Sequence, residues 1–114
     1  METWTGPDSF DALAAAPAYH RLLFENDEVR VLDTRVESNE TVPLHTHRWP
    51  GFAYVISTGD FVRRDAEGTV VVDTRTTGTV LEPGSAVWLP ALPPHSLENV
   101  SSSEIRAIHV ERKR

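Results

Sequence analysis

The sequence predicts an all-β domain, a sandwich or barrel of antiparallel strands preceded by one short helix. From Arg21 onward, short runs rich in β-branched and aromatic residues alternate with turn residues that recur about every eight to twelve residues. No helical pattern separates these runs, which argues against a parallel sheet of βαβ units. The chain has 114 residues, the size of one domain. We expect a helical segment at residues 1–20 and a barrel domain at residues 21–114.

The N-terminal stretch GPDSFDALAAAP, residues 6–17, predicts the helix. Asp8 or Ser9 can cap its first turn. Phe10 and Leu13 stand at helical spacing, and a proline after the alanines ends the pattern.

Ten runs after this helix predict strands, because they are rich in strand-forming residues and are separated by turn residues. In chain order they are RLLFEN (21–26), VRVLDTRVES (29–38), TVPLH (41–45), FAYVIS (52–57), DFVRRD (60–65), TVVVDTR (69–75), TVLEP (79–83), SAVWLP (85–90), HSLENV (95–100) and EIRAIHVERK (104–113).

Charge and cysteine content exclude several classes of function. The formal net charge is −6 at pH 7, and the basic residues are scattered apart from a short run at residues 111–114. A nucleic-acid partner is therefore not expected. The absence of cysteine excludes disulfides and thiolate ligands. The apolar runs are far shorter than the ~20 residues of a membrane span, and residues 1–10 lack signal-peptide features. We expect a cytoplasmic protein without a membrane partner.

Two histidines stand one residue apart in the run PLHTH, residues 43–47. Successive side chains on a strand alternate faces, so His45 and His47 should point the same way, with Cα atoms roughly 6.5–7 Å apart. Two imidazoles at this spacing can converge on one metal ion. They can equally be two polar positions on a strand that faces water, so the pair alone leaves both interpretations open.

A third histidine follows a proline-rich corner in the segment GSAVWLPALPPHSLENV, residues 84–100. Pro90, Pro93 and Pro94 each fix φ near about −65° and stiffen the backbone that leads into His95. A stiff backbone positions an imidazole at a smaller entropic cost. His95 is therefore a candidate third ligand.

The two histidine segments resemble the two motifs of the cupin family, small jelly-roll barrels that carry these motifs on facing strands. The first motif, G-x5-H-x-H-x3–4-E-x6-G, corresponds here to His45, His47 and Gly59. The second motif, G-x5-P-x-G-x2-H-x3-N, corresponds to Gly84, Pro90, His95 and Asn99. The resemblance covers about residues 21–110 and implies a cupin jelly-roll β-barrel that pairs as a homodimer.

The chain departs from these motifs at three positions. Leu92 stands in place of a turn glycine, and Asn39, which tolerates a left-handed turn, stands in place of the first glycine. The glutamate of the first motif would fall at Gly51 or Phe52, and neither side chain can bind a metal. The resemblance therefore implies a reduced ligand set. Its members are His45, His47 and His95.

A site of three neutral imidazoles leaves the charge of a divalent ion uncompensated and its other positions open to substrate. Imidazole suits Fe, Zn, Ni or Cu better than Mg or Ca. Cupins with three histidines include dioxygenases that use ferrous iron, so the resemblance implies an Fe(II)-type oxygenase acting on a small chelating substrate. The missing glutamate leaves two alternatives. One is a module that binds a small ligand or metal without turnover, and the other is a metal-independent isomerase or lyase.

Side chains near the two motifs are candidates for the substrate pocket. Phe52 and Tyr54 alternate with two smaller apolar residues, so one of the two sets lines the barrel. Tyr54 is the candidate catalytic acid–base group. Trp49 and Trp88 flank the motifs and are either pocket walls or packing residues. Arg63 can hold a substrate carboxylate, because guanidinium forms a matching fork.

Other polar residues have less defined roles in the sequence. Arg63 and Arg64 are adjacent on a strand, so at most one of them faces inward. Glu98 either orients a ligand histidine or faces water. His20 and His109 lie outside both motifs, and we expect them to be surface or structural residues.

Overall fold

The computed structural model describes residues 3–79 and 81–113, which form nine strands and two single-turn helices. Neither helix is long or apolar enough to cross a membrane. The helices are α1 (Ala12–Ala15) and α2 (Thr74–Thr77). The strands are β1 (His20–Glu25), β2 (Val29–Val36), β3 (Thr41–His47), β4 (Gly51–Ser57), β5 (Phe61–Asp65), β6 (Val70–Asp73), β7 (Ala86–Leu89), β8 (Leu92–Asn99) and β9 (Ile105–Arg112).

The strands form two antiparallel sheets. The five-stranded sheet has the order β1-β2-β9-β4-β7, and the four-stranded sheet has the order β3-β8-β5-β6. After β2, the chain passes repeatedly from one sheet to the other, so both sheets share one interior. This is the all-β jelly-roll barrel that the sequence predicts.

Strand pairing arranges the inward-facing side chains of the larger sheet in rows. Residues in register on neighbouring antiparallel strands point to the same face, so each row crosses β2, β9 and β4. The outward-facing residues between these rows cover the other side of the sheet. One inward row is Leu32, His109 and Ala53, and the next is Thr34, Ala107 and Val55.

The short N-terminal helix is present, but its start differs from the prediction. A single 3-10 turn spans Asp8–Phe10, and α1 begins after it. The cap is Asp11, whose side chain accepts a hydrogen bond from the Leu13 amide at 3.1 Å. The predicted caps Asp8 and Ser9 lie inside the 3-10 turn, because the proline before them favours an extended entry.

Two predicted strands near residues 69–83 differ from the structure. The run predicted at 69–75 ends at Asp73, whose side chain caps α2 by accepting from the Arg75 amide at 3.1 Å. Gly78 ends this helix in the left-handed conformation at φ 71. In the run predicted at 79–83, residues 79 and 81–83 are not in a strand, and residue 80 lies outside the described part.

Candidate metal centre

All five histidines of the chain are buried and lie together inside the barrel. The ring centroid of His45 lies 4.8 Å from that of His20 and 5.1 Å from that of His47. The His95 ring lies 4.3 Å from His45, and the His109 ring lies 4.2 Å from His47. We call these five residues the histidine cluster.

Both sheets contribute to the histidine cluster. Strand β3 supplies His45 and His47, and β8 supplies His95 directly opposite His45 in register. The first residue of β1 is His20, and β9 supplies His109 from the larger sheet. The cluster therefore depends on the closure of the barrel and not on one local motif.

Three of the five rings are oriented by backbone carbonyl groups. A carbonyl oxygen only accepts, so each ring donates from Nδ1 and leaves Nε2 without a proton. Such a neutral ring presents a lone pair to a metal ion. The bonds run from His20 to Ala16 O (3.0 Å), from His45 to Pro43 O (2.8 Å) and from His95 to Pro93 O (2.8 Å).

The fourth ring, that of His47, is oriented by a carboxylate. His47 Nδ1 lies 3.4 Å from Glu111 Oε2, and Arg30 Nε donates to Glu111 Oε1 at 2.7 Å. The two terminal nitrogens of Arg30 donate to the two carboxylate oxygens of Asp11 at 2.8 and 2.9 Å. A charged chain therefore connects the cap of α1 to one ring of the cluster.

Burial keeps the five imidazoles neutral at pH 7. It lowers the pKa of His45 and of His109 to about 3 and that of His95 to about 4. Burial also lowers the pKa of His20, and it lowers that of His47 well below its ordinary value. The mutual repulsion of the rings in their charged forms acts in the same direction for His45 and His47. Neutral imidazole is the form that binds a metal.

In the charged chain behind His47, ion pairing opposes the effect of burial on the pKa values of Arg30 and Glu111. Burial raises the pKa of Glu111, and the Arg30 guanidinium acts against that rise. Burial alone would lower the pKa of Arg30, but its bonds to Asp11 and Glu111 raise it instead. Arg30 is therefore a fixed cation between the carboxyl groups of Asp11 and Glu111.

The structure explains why the expected glutamate is absent from β4. A Cβ atom at Gly51 would lie 1.8 Å from the Val110 carbonyl oxygen, so no side chain fits there. The residue directly opposite Gly51 in the ladder is Glu111. The site thus keeps a carboxylate on the neighbouring strand, where it faces the back of a ring. Asn39, the other substituted glycine, has φ 65 as its left-handed turn requires.

The residues best placed to hold a metal differ in part from the predicted set. His20, His45 and His47 each offer a ligand atom, and these atoms all lie within 4.8 Å of one another. His95 packs against His45 and is the fourth imidazole with an oriented Nδ1.

Two members of the histidine cluster, His20 and His109, were expected to be surface or structural residues, and the structure buries both. A signal was present for one of them. His109 and Glu111 are two residues apart, as are His45 and His47, so each pair shares one strand face. No comparable pattern marks His20.

A cavity of about 340 Å³ opens beside the cluster and is lined by residues of both sheets. All five histidines reach its surface, together with Thr34, Ser57 and Arg63. The remaining walls are mainly apolar, so the cavity combines a group of histidines with a hydrophobic body. Its apolar lining includes Val36, Val42, Val55, Val87, Leu89, Leu97 and Ile105.

Three predicted pocket residues lie on the outer face of the larger sheet instead. The exposed fractions are 40% for Phe52, 45% for Tyr54 and 50% for Trp88. The two smaller side chains of β4, those of Ala53 and Val55, line the cavity. The inward face carries small residues because the histidines and the cavity occupy the space in front of them. Tyr54 therefore does not reach the cavity, which removes the geometric basis for its predicted catalytic role.

The remaining candidates divide between the cavity and the surface. Arg63 lines the cavity. Its neighbour Arg64 pairs with Glu98 at 2.9 Å, so Glu98 does not orient a ligand histidine. Trp49 lies outside the cavity, with the Arg30 guanidinium 5.0 Å from its ring centroid.

Several solved structures share this architecture, although no protein-family model and no curated protein matches the sequence. A cupin domain from Bordetella pertussis Tohama I is 21% identical, with 83% of this chain and 92% of that chain covered and a TM-score of 0.67. An RmlC-like cupin with a double-stranded β-helix fold from Methanocaldococcus jannaschii is 12% identical. The match covers 98% of this chain and 89% of that chain, with a TM-score of 0.56. The polyketide cyclase RemF from Streptomyces resistomycificus is 22% identical. The match covers 83% of this chain and 64% of that chain, with a TM-score of 0.54.

These similarities confirm the predicted fold. The chain has the cupin fold, a double-stranded β-helix with a short N-terminal helix. Identities at this level establish architecture and not activity. The function must be argued from the site.

Proposed function

We propose that this protein is a metal-dependent enzyme in which His20, His45 and His47, together with His95, hold one divalent transition metal. The observation that carries this proposal is the orientation of the four rings. Each Nδ1 faces a carbonyl or carboxylate oxygen, so each Nε2 is free as a ligand. Metal-binding histidines are commonly fixed in this way.

The donor set suits iron, zinc, nickel or copper, and we propose iron because the resemblance of the two histidine motifs implies an Fe(II)-type site. Four neutral nitrogen donors suit these ions and disfavour magnesium and calcium. Iron(II) bound here would supply Lewis acidity and electron transfer towards dioxygen, as in an oxygenase acting on a small chelating substrate.

The protein's own residues would fix the ligands and exclude water. The Asp11–Arg30–Glu111 chain holds His47 in place, and carbonyl groups hold the other three rings. The apolar walls keep bulk water away from the reacting end, which strengthens electrostatic interactions there. His109 lines the same cavity and contacts His47, so it can form a hydrogen bond with a bound substrate.

Metal content measured by elemental mass spectrometry tests this function. Protein purified anaerobically without a His-tag should contain about one equivalent of metal, and the His45→Ala/His47→Ala variant should contain none. Oxygen consumption with small thiols, diketones and hydroxy acids would then test the oxygenase activity. A wild-type protein that takes up no metal after reconstitution with Fe(II) or Zn(II) contradicts the proposal.

A second candidate is an isomerase, lyase or cyclase that needs no redox chemistry. Two observations favour it: the similarity to the polyketide cyclase RemF, and the buried Nε2 of His109, which has no hydrogen-bond partner in the described part of the chain. With Tyr54 on the outer face, His109 is the better acid–base candidate. Activity that persists without dioxygen supports this class, and activity that also survives EDTA assigns it to metal-independent chemistry.

We also propose that two copies of the chain pair through the outer face of the larger sheet. An apolar row crosses all five strands of that face in register. Light scattering should give the mass of a dimer at micromolar concentration and of a monomer for Phe52→Glu/Trp88→Glu. A monomeric wild-type protein would contradict this assembly. The row consists of Phe24, Val31, Val110, Phe52 and Trp88.

A further inference from the structure

Buried polar atoms without partners are concentrated in the cavity. In the described part of the chain, five buried side-chain polar atoms have no hydrogen-bond partner within the protein, and four belong to residues that line the cavity. Buried polar groups in folded proteins are almost always paired. Their concentration in one place therefore indicates a ligand that supplies the missing partners. The four atoms are Thr34 Oγ1, Ser57 Oγ, Arg63 Nε and His109 Nε2.

The Arg63 guanidinium is the charged member of this group. Within residues 3–79 and 81–113, no carboxylate pairs with it, although its neighbour Arg64 pairs with Glu98 at 2.9 Å. Burial lowers the pKa of Arg63 from its ordinary value, and no acidic group offsets that effect. A cation kept in an apolar cavity without a counter-charge is costly to the fold unless a ligand pairs with it.

The position of Arg63 places it within reach of the metal ligands. Arg63 pairs in register with Leu97, which lies two residues from His95 on the same face of β8. The arginine therefore stands one inward-facing row from the histidines, roughly 6.5–7 Å along the strand. The charge of Arg63 also contributes, after burial, to the lowered pKa of His95. One small molecule can contact both groups.

We infer that the substrate is a small carboxylic acid with a compact apolar body, whose carboxylate pairs with Arg63 while its opposite end faces the histidine cluster. Thr34 and Ser57 supply hydrogen bonds to its polar substituents. The 340 Å³ cavity lies near the lower end of the range of ligand pockets, about 300–1,000 Å³, so it suits a small substrate. This inference rests on the proposed function, because it takes the cavity as the substrate site.

Benzoate and benzamide form a matched pair of probes, because they have nearly the same shape and differ in charge. Each is titrated into metal-free protein, and binding is followed by the ¹H–¹⁵N NMR signals of the arginine Nε–H groups. Metal-free protein is used first, since a metal would itself attract the carboxylate. Benzoate should bind at least about tenfold more tightly than benzamide and should shift the Arg63 signal. Equal affinities would overturn the inference.

Two variants assign the binding to Arg63. Arg63→Gln should weaken benzoate binding by about tenfold or more, whereas Arg64→Gln, its matched control on the outer side of β5, should bind benzoate as the wild type does. Unchanged binding by Arg63→Gln, or an equal loss in Arg64→Gln, would overturn the inference.

Thermal stability separates a ligand-binding role from a structural one. Arg63→Met removes the unpaired charge and keeps a long apolar side chain, so it should raise the melting temperature of the unliganded protein while it abolishes benzoate binding. A structural arginine would give the opposite change in melting temperature.

Metal analysis keeps this test separate from that of the proposed function. A protein that binds benzoate through Arg63 but never takes up metal would retain this inference and overturn the metal-dependent enzyme. A protein that binds one metal but does not distinguish benzoate from benzamide would retain the metal-dependent enzyme and overturn this inference.

Discussion

The cavity wall carries two sets of polar groups, which differ in where those groups find hydrogen-bond partners. In the first set, four histidine rings each have an acceptor behind Nδ1, supplied by three backbone carbonyls and by Glu111. In the second set, Thr34, Ser57 and Arg63 have buried polar atoms without partners in the described residues.

This difference separates what the fold supplies from what a ligand must supply. Groups that bind a permanent metal need fixed orientations, so the protein completes their hydrogen bonds. Groups that meet a transient substrate must have free hydrogen-bonding capacity before it arrives. His109 belongs with these groups although it packs against His47, because its Nε2 has no hydrogen-bond partner among the described residues.

The largest expected effect tests which rings belong to the metal site. His45→Ala, His20→Ala and His95→Ala should each remove most of the bound metal, because each loses one of four oriented ligands. His109→Ala should keep about one equivalent, since this ring lies outside the ligand set. Elemental analysis of the four purified variants measures this contrast. Loss of metal in His109→Ala would extend the ligand set to β9.

The second effect tests the carboxylate behind His47. Glu111→Leu should destabilise the metal-free protein by about 3 kcal/mol, because it leaves the buried Arg30 with one partner in place of two. Urea unfolding measures this change. Arg30→Met combined with Glu111→Leu should recover part of the loss. A double variant less stable than the single variant would show that the charged chain is not the cause.

The third effect is a dependence of stability on pH. Burial lowers the pKa of His45 and His109 to about 3 and that of His95 to about 4, whereas the unfolded chain binds these protons near pH 6.5. The unfolded state therefore binds more protons between these values, so the metal-free protein loses stability as the pH falls from about 6.5 towards 3. Urea midpoints across this range should show the decline, and His109→Phe should make it shallower. A flat profile would mean that the rings are hydrated in solution.

The smallest effect concerns the outer face. Tyr54→Phe should leave metal content and turnover unchanged and should alter stability by no more than about 0.5 kcal/mol, since this hydroxyl lies outside the cavity. Activity assays with any substrate found for the wild type provide the comparison. A large loss of turnover in this variant would return Tyr54 to the catalytic role that the sequence suggested.

Local patterns predicted the fold and part of the site. Alternating apolar runs and regular turn residues predicted the all-β barrel, and the pair of motifs pointed to His45, His47 and His95. The inward face of β4 was left open by the sequence, because alternation fixes which residues share a face and not which face is inside. In the structure, Ala53 and Val55 line the cavity, and Phe52 and Tyr54 are exposed on the outer face.

The remaining part of the site depends on contacts between distant strands. His20 and Glu111 stand near opposite ends of the chain and belong to no recognised motif. They reach the cluster only because β1 and β9 both pair with β2 in one sheet. The lack of a carboxylate partner for Arg63 among the described residues likewise depends on the closed barrel, because the sequence does not show which acidic residues lie near it.

The charged chain from Asp11 to Glu111 also has a consequence for biosynthesis. A nascent polypeptide emerging from the ribosome exposes His20, His45 and His47 before Glu111 has been made. Such an intermediate holds the imidazoles without the carboxylate that orients His47, and without the β9 strand that closes the barrel behind them. Selective metal binding at the proposed site therefore requires the completed chain, and a cell starved of that metal should accumulate a folded apoprotein.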